Sequence, residues 1–173
     1  WSLLTPVLLA ADALGLVHCP GSVLERVADV LDGVADECRP SSESFVNPAK
    51  VLALGLGATV PVVLGDGPLT GVAATRAASM LARTARVPAT HGALPDAASQ
   101  VVACLDGPFG SGPDDSGGGR SDDLFADPYL DGPPAQRLGL LALRDPDLAP
   151  DAVALADAVV ASARETGIPV FEQ

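Results

Sequence analysis

Aromatic residues, positive charges and long apolar runs are all scarce in this chain, and each scarcity excludes a class of protein or architecture. Aromatics make up 3% of the 173 residues, so the core must be built from Ala, Val and Leu, whose small side chains suit close packing of helices on a sheet. No apolar run reaches the roughly 18 residues that a membrane-spanning helix needs. The chain is nevertheless 48% hydrophobic and 18% charged, which is typical of a folded globular domain.

Positive charge is in short supply. Lysine and arginine together number 10, with Lys50 as the single lysine, against 22 acidic residues, and the net charge is −12. Proteins that bind nucleic acid need cations to neutralise phosphates, so nucleic acid is excluded as the main partner. An acidic surface also disfavours anionic membranes. A small phosphorylated metabolite stays compatible with this charge, because backbone N–H groups at a helix N-terminus can hold a phosphate.

The sequence contains no recognisable disulfide framework, metal motif or leader. Its three cysteines are Cys19, Cys38 and Cys104. Their odd number and wide spacing indicate reduced thiols in a cytoplasmic protein. The pair His18-Cys19 has no second Cys or His at ligand spacing, so we predict no metal site, and no cofactor motif is present. The apolar run 3–16 is interrupted by Asp12 and lacks a basic flank, so it does not resemble a signal peptide.

Helices are predicted for the first part of the chain. One covers residues 3–16, and a second runs from Ser22 to Cys38, opened by a capping box of Ser22 and Glu25. In the second helix apolar residues recur at i, i+3, i+4 and i+7. A short third helix follows Pro48 and stops at Gly55. We predict that residues 1–46 form a helical arm or linker from an upstream domain.

Beyond residue 57 the pattern changes to alternating strands and helices. Strands are predicted at residues 59–64, 100–105, 138–143 and 169–171, and helices at 70–85 and 150–166. Pro61 places the first strand at a strand start or on a sheet edge. This order predicts, for residues 47–173, an α/β three-layer sandwich with an open parallel sheet of the flavodoxin-like kind. Residues 106–132, rich in Gly, Pro, Ser and Asp, are predicted to form an acidic surface loop.

A phosphate site is one interpretation of the turn around Gly65 and Gly67. Glycines between a strand and a helix let a phosphate approach the backbone at the helix N-terminus. The intervening Asp66 brings a negative charge, and a purely structural turn explains the same residues. Lys50 has two interpretations as well: a compact cation for an anionic ligand, or a solvated helix residue.

Acid–base chemistry is suggested by His91, which we place in a loop before the second predicted strand, with Asp96 close by in sequence. Histidine is the commonest acid–base group near neutral pH. A histidine in a loop is also often structural or simply exposed. The sequence shows no nucleophile with a matching base.

Several short segments, in order, carry a family resemblance. They are Asn-Pro-Ala-Lys at 47–50, Val-Pro-Val-Val at 60–63 before Gly65, Arg76, Ala-Arg-Val-Pro at 85–88 and Leu-Pro-Asp-Ala at 94–97. Outside residues 106–132 the chain resembles the C-terminal SIS (sugar isomerase) domain of bacterial bifunctional phosphoglucose/phosphomannose isomerases. The resemblance implies a cytoplasmic homodimer without cofactors that binds glucose 6-phosphate, mannose 6-phosphate or fructose 6-phosphate. It also implies that an upstream SIS domain supplies the other half of the active site.

Candidate ligand contacts are Gly65, Gly67, Arg76 and Lys50, but the positions implied for catalysis are changed. The family glutamate, seven residues after Arg76, falls on Arg83, and the family histidine falls on Ser99. Arginine stays protonated and cannot be a general base, and serine cannot replace an imidazole near neutral pH. His91 and Asp96 are the available substitutes.

Two functions follow from the resemblance and its departures. The first is the C-terminal half of an aldose–ketose isomerase with a rearranged site. The second is a non-catalytic SIS domain that binds a sugar phosphate, or acts only in dimerisation or regulation. Arg83 and Ser99 favour the second for this chain. The apolar helix predicted at 3–16 would expose a large patch on its own, so we expect dimerisation.

Overall fold

The structure is a computed structural model that describes residues 3–110 and 136–173. The chain divides into two compact units, Trp1–Val51 and Leu52–Gln173. Positions 111–132 of the predicted acidic loop lie outside the described residues. Within the described ranges, no helix combines the length and the apolarity that crossing a membrane requires.

The first unit contains α1 (Leu4–Ala13) and α2 (Gly21–Glu37), close to the two predicted helices. The predicted capping box is wrong: the helix begins after the extended residue Pro20, and no side chain caps it. Ser22 and Glu25 therefore lie inside the helix. Neither helix has a buried residue, so the apolar stripe of α2 is exposed, with Val30 at 65% and Val34 at 52%.

The second unit is built on a four-stranded parallel sheet. Its strands are β1 (Thr59–Gly65), β2 (Thr90–Ala93), β3 (Arg137–Leu143) and β4 (Val170–Glu172), in the order β2-β1-β3-β4. Pro61 is the third residue of the interior strand β1, so its predicted position at a strand start or on a sheet edge is wrong. Because β2 pairs with β1 only from Val62 onward, β3 alone borders β1 at Pro61, and the missing N–H is tolerated there.

Helices cover both faces of this sheet. They are α3 (Pro48–Leu56), within which the two units divide, α4 (Pro68–Met80) with a π-helical turn at Leu81–Ala85, α5 (Ala98–Leu105) and α6 (Pro150–Glu165). One face packs Val63 against Ala74 of α4 and Leu56 of α3. The other packs Leu140 with apolar residues of α5 and α6. The predicted α/β class with a parallel sheet and helices on both faces is confirmed.

One predicted strand is wrong and one strand was missed. Residues 100–105 belong to helix α5, where Val101 and Leu105, four residues apart, are both buried and so occupy one helical face. The second strand is instead β2. Its first residues, Thr90 and His91, are exposed, so β2 lacks the apolar alternation that would reveal it. His91 therefore lies in a strand rather than in a loop.

Candidate functional site

The carboxyl end of an open parallel sheet is where such folds bind ligands, above all where the strand order reverses. Here the chain runs from β1 to β2 on one side and then to β3 on the other side. The reversal point is therefore the crevice between β1 and β3, formed by the loops that follow these two strands. A second crevice lies at the end of β2, on the sheet edge.

The crevice between β1 and β3 contains a buried ion pair. Asp66, which follows β1, is 4% exposed. Its Oδ2 accepts a hydrogen bond from Arg144 Nε at 3.0 Å, and its Oδ1 accepts one from the backbone N–H of Asp145 at 2.8 Å. The hydroxyl of Thr70 lies 3.2 Å from the same Oδ1. The carboxylate that the sequence places in the glycine turn is thus fully used within the protein.

Arg144 extends this network to two more elements. Its Nη2 donates to Asp157 of α6 at 2.7 Å, and its Nη1 donates to Glu172 of β4 at 3.0 Å. The hydrogen bond to Asp157 raises the pKa of the Arg144 guanidinium above its ordinary value, and desolvation opposes this in part. One arginine therefore connects the ends of β1, β3 and β4 with α6. Charged side chains of the protein, paired with one another, occupy the crevice at the reversal point.

The predicted phosphate turn has close packing around both glycines. A Cβ at Gly65 would overlap the backbone of Thr70 and Gly71. The N–H of Gly67 donates to Thr70 Oγ1 at 2.7 Å, and a Cβ at Gly67 would lie 3.0 Å from Leu148 Cδ2. The packing of α4 on β1 explains Gly65, and the segment between β3 and α6 explains Gly67. The Gly67 N–H is already bonded.

The Asn-Pro-Ala-Lys segment begins helix α3. Asn47 is 1% exposed; its Oδ1 accepts the N–H of Lys50 at 3.0 Å, and its Nδ2 donates to the carbonyl of Arg39 at 2.8 Å. The Lys50 Nζ donates to the carbonyls of Pro40 and Ser42 at 2.7 and 2.8 Å. The segment thus caps a helix and fastens the preceding connector, and this accounts for the lysine within the fold.

The crevice at the end of β2 is an open cleft of about 360 Å³. It brings together His91 and Asp96, both predicted from the sequence, and adds Thr75 and Gln100, which sequence reasoning missed. The full lining is Gly71, Thr75, His91, Gly92, Ala93, Asp96, Ala97 and Gln100. The sequence contains one signal for this part of the lining. Gly71 and Thr75 are four residues apart, so they lie on one face of a helix.

The His91 ring contacts Thr75. The Thr75 hydroxyl donates its hydrogen to the carbonyl of Gly71 at 3.0 Å and lies 3.3 Å from His91 Nδ1. Because a hydroxyl has one hydrogen, which is directed at the Gly71 carbonyl, this contact matches the ring tautomer that has its proton on Nδ1. In that tautomer Nε2 is a hydrogen-bond acceptor for a ligand.

Two glycines give the cleft its shape. A Cβ at Gly71 would lie 2.8 Å from the Cβ of Ala93, and a Cβ at Gly92 would overlap the Cβ of Ala97. Helix α4 and the turn into α5 therefore both approach β2 closely. The cleft is bare of side chains at these two lining positions.

The exposed polar groups of the cleft match hydroxyls better than phosphate. Asp96 and Gln100 are exposed, and their side chains make no hydrogen bond within the described part of the chain. Together with His91 Nε2 they offer acceptors and donors to a polyhydroxylated ligand. The lining contains no lysine or arginine among the described residues, and the Asp96 carboxylate repels a phosphate.

A family model for the bacterial phospho-glucose isomerase C-terminal SIS domain matches residues 45–173. The chain belongs to this family. The match covers all four strands of the second unit and begins just before Asn47, in agreement with the motifs quoted above. Searches of curated protein sequences and of solved structures returned no significant match.

Within this SIS domain, the positions implied for proton transfer are exposed. Arg83 lies in the π-helical turn after α4, and Ser99 lies in the first turn of α5. Neither side chain, nor that of Arg76 on α4, has an ion pair or hydrogen bond in the described ranges. Those ranges also contain no cluster of three His, Cys, Asp or Glu suited to a metal ion.

Proposed function

We propose that this SIS domain binds a sugar phosphate without catalysing aldose–ketose isomerisation by itself. The carrying observation is the cleft at the end of β2, where His91 Nε2, Asp96 and Gln100 present unpaired polar groups suited to sugar hydroxyls. The ligand would be glucose 6-phosphate, mannose 6-phosphate or fructose 6-phosphate. The family membership supports this ligand class.

The chemistry of the exposed positions supports binding over turnover. Isomerisation, as the resemblance implies it, needs a base that moves a proton between C1 and C2 of the sugar. Arg83 stays protonated and Ser99 is a poor acid–base group, so losing both functions costs several orders of magnitude in rate. His91 is hydrogen-bonded to a neutral threonine rather than to a carboxylate, and we assign it the role of accepting a ligand hydroxyl.

Calorimetric titration of the full chain with fructose 6-phosphate, together with a coupled isomerase assay, tests this function. The variants H91N and D96N should each weaken binding about tenfold, the value of one hydrogen bond to a polar ligand. D147N, which neutralises an exposed carboxylate elsewhere, is the matched control. Unchanged affinity in H91N and D96N would refute the cleft. Isomerisation at a typical enzymatic rate of about 10 per second would refute the absence of turnover.

A role in dimerisation or regulation is the second candidate, favoured by the first unit. Helices α1 and α2 contain no buried residue, and Leu3, at the start of this unit, is 83% exposed. Such a surface suits a second copy of the chain, so we also propose a homodimer, and the three free cysteines support a cytoplasmic location. Light scattering that gives a non-aggregating monomer would contradict the dimer.

A further inference from the structure

An unpaired edge of the sheet lies at the open cleft. β2 comes first in the strand order β2-β1-β3-β4, so within the described residues only one of its sides is paired. The cleft is lined from both faces of the sheet, by Gly71 and Thr75 of α4 and by Gln100 of α5. His91 and Ala93 of β2 also line it. The cleft therefore passes over the unpaired edge of β2, where a strand presents backbone N–H and C=O groups.

The hydrogen bonds to β1 show which backbone groups of β2 point to this edge. In a parallel sheet, alternate residues of a strand direct both their N–H and their C=O towards the same neighbouring strand. The N–H of Leu94 donates to the carbonyl of Gly65 at 2.8 Å. Gly92, two residues earlier, therefore faces β1 as well. His91 and Ala93 direct their backbone groups away from β1, towards the cleft.

One of these outward groups is used within the protein, and the others are left for a ligand. The Ala93 carbonyl accepts the N–H of Ala97 at 2.9 Å, in agreement with its outward direction. The N–H and C=O of His91 and the N–H of Ala93 have no hydrogen-bond partner among the described residues. Backbone groups are strong donors and acceptors, so they add to the hydrogen-bonding capacity of the cleft side chains.

The His91 carbonyl and the Ala93 N–H match a pair of neighbouring hydroxyls. They flank Gly92, and they are the acceptor and the donor that one residue of an added strand would meet. In such a residue the nitrogen and the carbonyl oxygen are joined through a pair of adjacent carbons. The oxygens of a vicinal diol are joined in the same way. Because a hydroxyl can donate or accept, one hydroxyl can donate to His91 while its neighbour accepts from Ala93.

An extended peptide could meet the same groups, but this edge is too short for one. Peptides that add a strand to a sheet depend on a row of main-chain hydrogen bonds. β2 has 4 residues, and the row ends at Ala93, whose carbonyl is already bonded to Ala97. The cleft volume of about 360 Å³ is in the range of small-molecule sites. These observations favour a compact polyhydroxylated ligand.

We propose that the unpaired edge of β2 binds a vicinal diol of the ligand, with one hydroxyl donating to the His91 carbonyl and the next accepting the Ala93 N–H. The inference rests on the proposed function and specifies which part of the sugar enters the cleft, namely its hydroxylated carbon chain. His91 then binds the ligand through both its ring and its carbonyl, and Asp96 and Gln100 bind further hydroxyls.

Hydrogen exchange at single amides, followed by NMR on the full chain, tests this edge. In the protein alone the Ala93 amide should exchange fast and the Gly92 amide slowly, because Gly92 faces β1. Fructose 6-phosphate at about ten times its Kd should slow exchange at Ala93 about tenfold, since this amide is protected only in the complex. Inorganic phosphate, which has no diol, should leave Ala93 unchanged. Asp151 in the first turn of α6 is the matched control, because its N–H also has no partner among the described residues.

Two outcomes separate the edge from the proposed function. If exchange at Ala93 is unchanged with fructose 6-phosphate bound, the edge site is wrong, and a loss of affinity in H91N and D96N would leave the proposed function standing without it. If Ala93 is protected while H91N and D96N keep the wild-type affinity, the edge is supported and the side-chain contacts of the proposed function are refuted.

The remaining outcomes all count against the edge as a sugar site. Equal slowing at Asp151 and Ala93 would reduce the effect to a general protection of exposed amides. Protection of Ala93 by tetra-alanine and not by fructose 6-phosphate would make the edge a peptide site. A chain that does not bind fructose 6-phosphate at all would overturn both the edge site and the proposed function.

Discussion

The two crevices at the carboxyl end of this sheet contain similar residue types in opposite states. Between β1 and β3, Asp66 is 4% exposed, and its oxygens are bonded to Arg144 and to the backbone of Asp145. At the end of β2, Asp96 and His91 are exposed and keep hydrogen-bonding capacity for a ligand. The comparison shows that a carboxylate whose oxygens are bonded to neighbouring groups of the protein stabilises the fold and is not available to a ligand. The contacts at the reversal point of this sheet therefore stabilise the fold, and the ligand site that we propose lies at the sheet edge, at the end of β2.

Substitution of Asp66, in the crevice between β1 and β3, should have the largest effect on the stability of the protein. D66A leaves the Asp145 N–H unpaired and deprives Arg144 of one of its partners. Breaking a buried pair costs about 3–5 kcal/mol, and we expect about 3 kcal/mol because Arg144 keeps Asp157 and Glu172. Urea denaturation measures the free energy of unfolding. D96A is the control and should change it by less than about 0.5 kcal/mol; similar losses in the two variants would erase the distinction between the crevices.

The glycine turn offers a second, somewhat smaller test. A Cβ at Gly65 meets backbone atoms of Thr70 and Gly71, which cannot move away without displacing α4. G65A should therefore cost about 2–3 kcal/mol in the free energy of unfolding. At Gly67 the neighbours are the side-chain ends of Leu148 and Asp145, so G67A should cost less than about 1 kcal/mol. If G67A were the more damaging variant, the packing explanation of this turn would be wrong.

The fold was largely predictable because most of its elements have a sequence pattern of their own. β1 and β3 are apolar runs that are buried on both faces of the sheet. β2 has no such pattern, since it is short and exposed and becomes a strand by pairing with β1. For residues 100–105 a strand was predicted because of two adjacent valines. The segment is helical, and the burial of Val101 and Leu105 follows a helical period.

The site was predictable only in part because its contacts join distant positions. Histidine chemistry pointed to His91, but Thr75, which contacts the ring, lies 16 residues earlier and is brought to it by the crossover from α4 to β2. The partner of Asp66 lies 78 residues away, so the sequence alone could not separate a phosphate turn from a structural one. Local patterns identify reactive residue types, and the topology decides which of them are already satisfied.

A third test addresses the open cleft through the orientation of the His91 ring. T75V removes the hydroxyl that lies 3.3 Å from His91 Nδ1, so the balance between the two ring tautomers should shift, which the ¹⁵N chemical shifts of the ring would show. Affinity for fructose 6-phosphate should fall by about threefold to tenfold, or about 1 kcal/mol. T84V is the matched control, because the Thr84 hydroxyl also donates to a carbonyl of its own helix. A T75V protein with an unchanged tautomer would show that Thr75 does not position the ring.

The smallest effect is expected on the contribution of Arg144 to the unfolding free energy as the pH is raised. The pKa of Arg144 is raised in the folded protein, so its stabilising contribution is fully present below its ordinary value. That contribution is lost only as the pH rises through the still higher folded value. The difference in unfolding free energy between wild type and R144M should therefore stay constant within about 0.5 kcal/mol from pH 7 to pH 10.

The variant R144K provides the contrast for this test. Lysine has an ordinary pKa of about 10.4, so its charge begins to be lost towards pH 10, whereas that of arginine persists. A single ammonium also cannot reproduce the fork that reaches Asp66, Asp157 and Glu172 at once. The deficit of R144K relative to wild type should therefore widen slightly as the pH rises. If the difference in unfolding free energy between wild type and R144M shrinks over the same range, the stability of the crevice between β1 and β3 depends on a group other than Arg144.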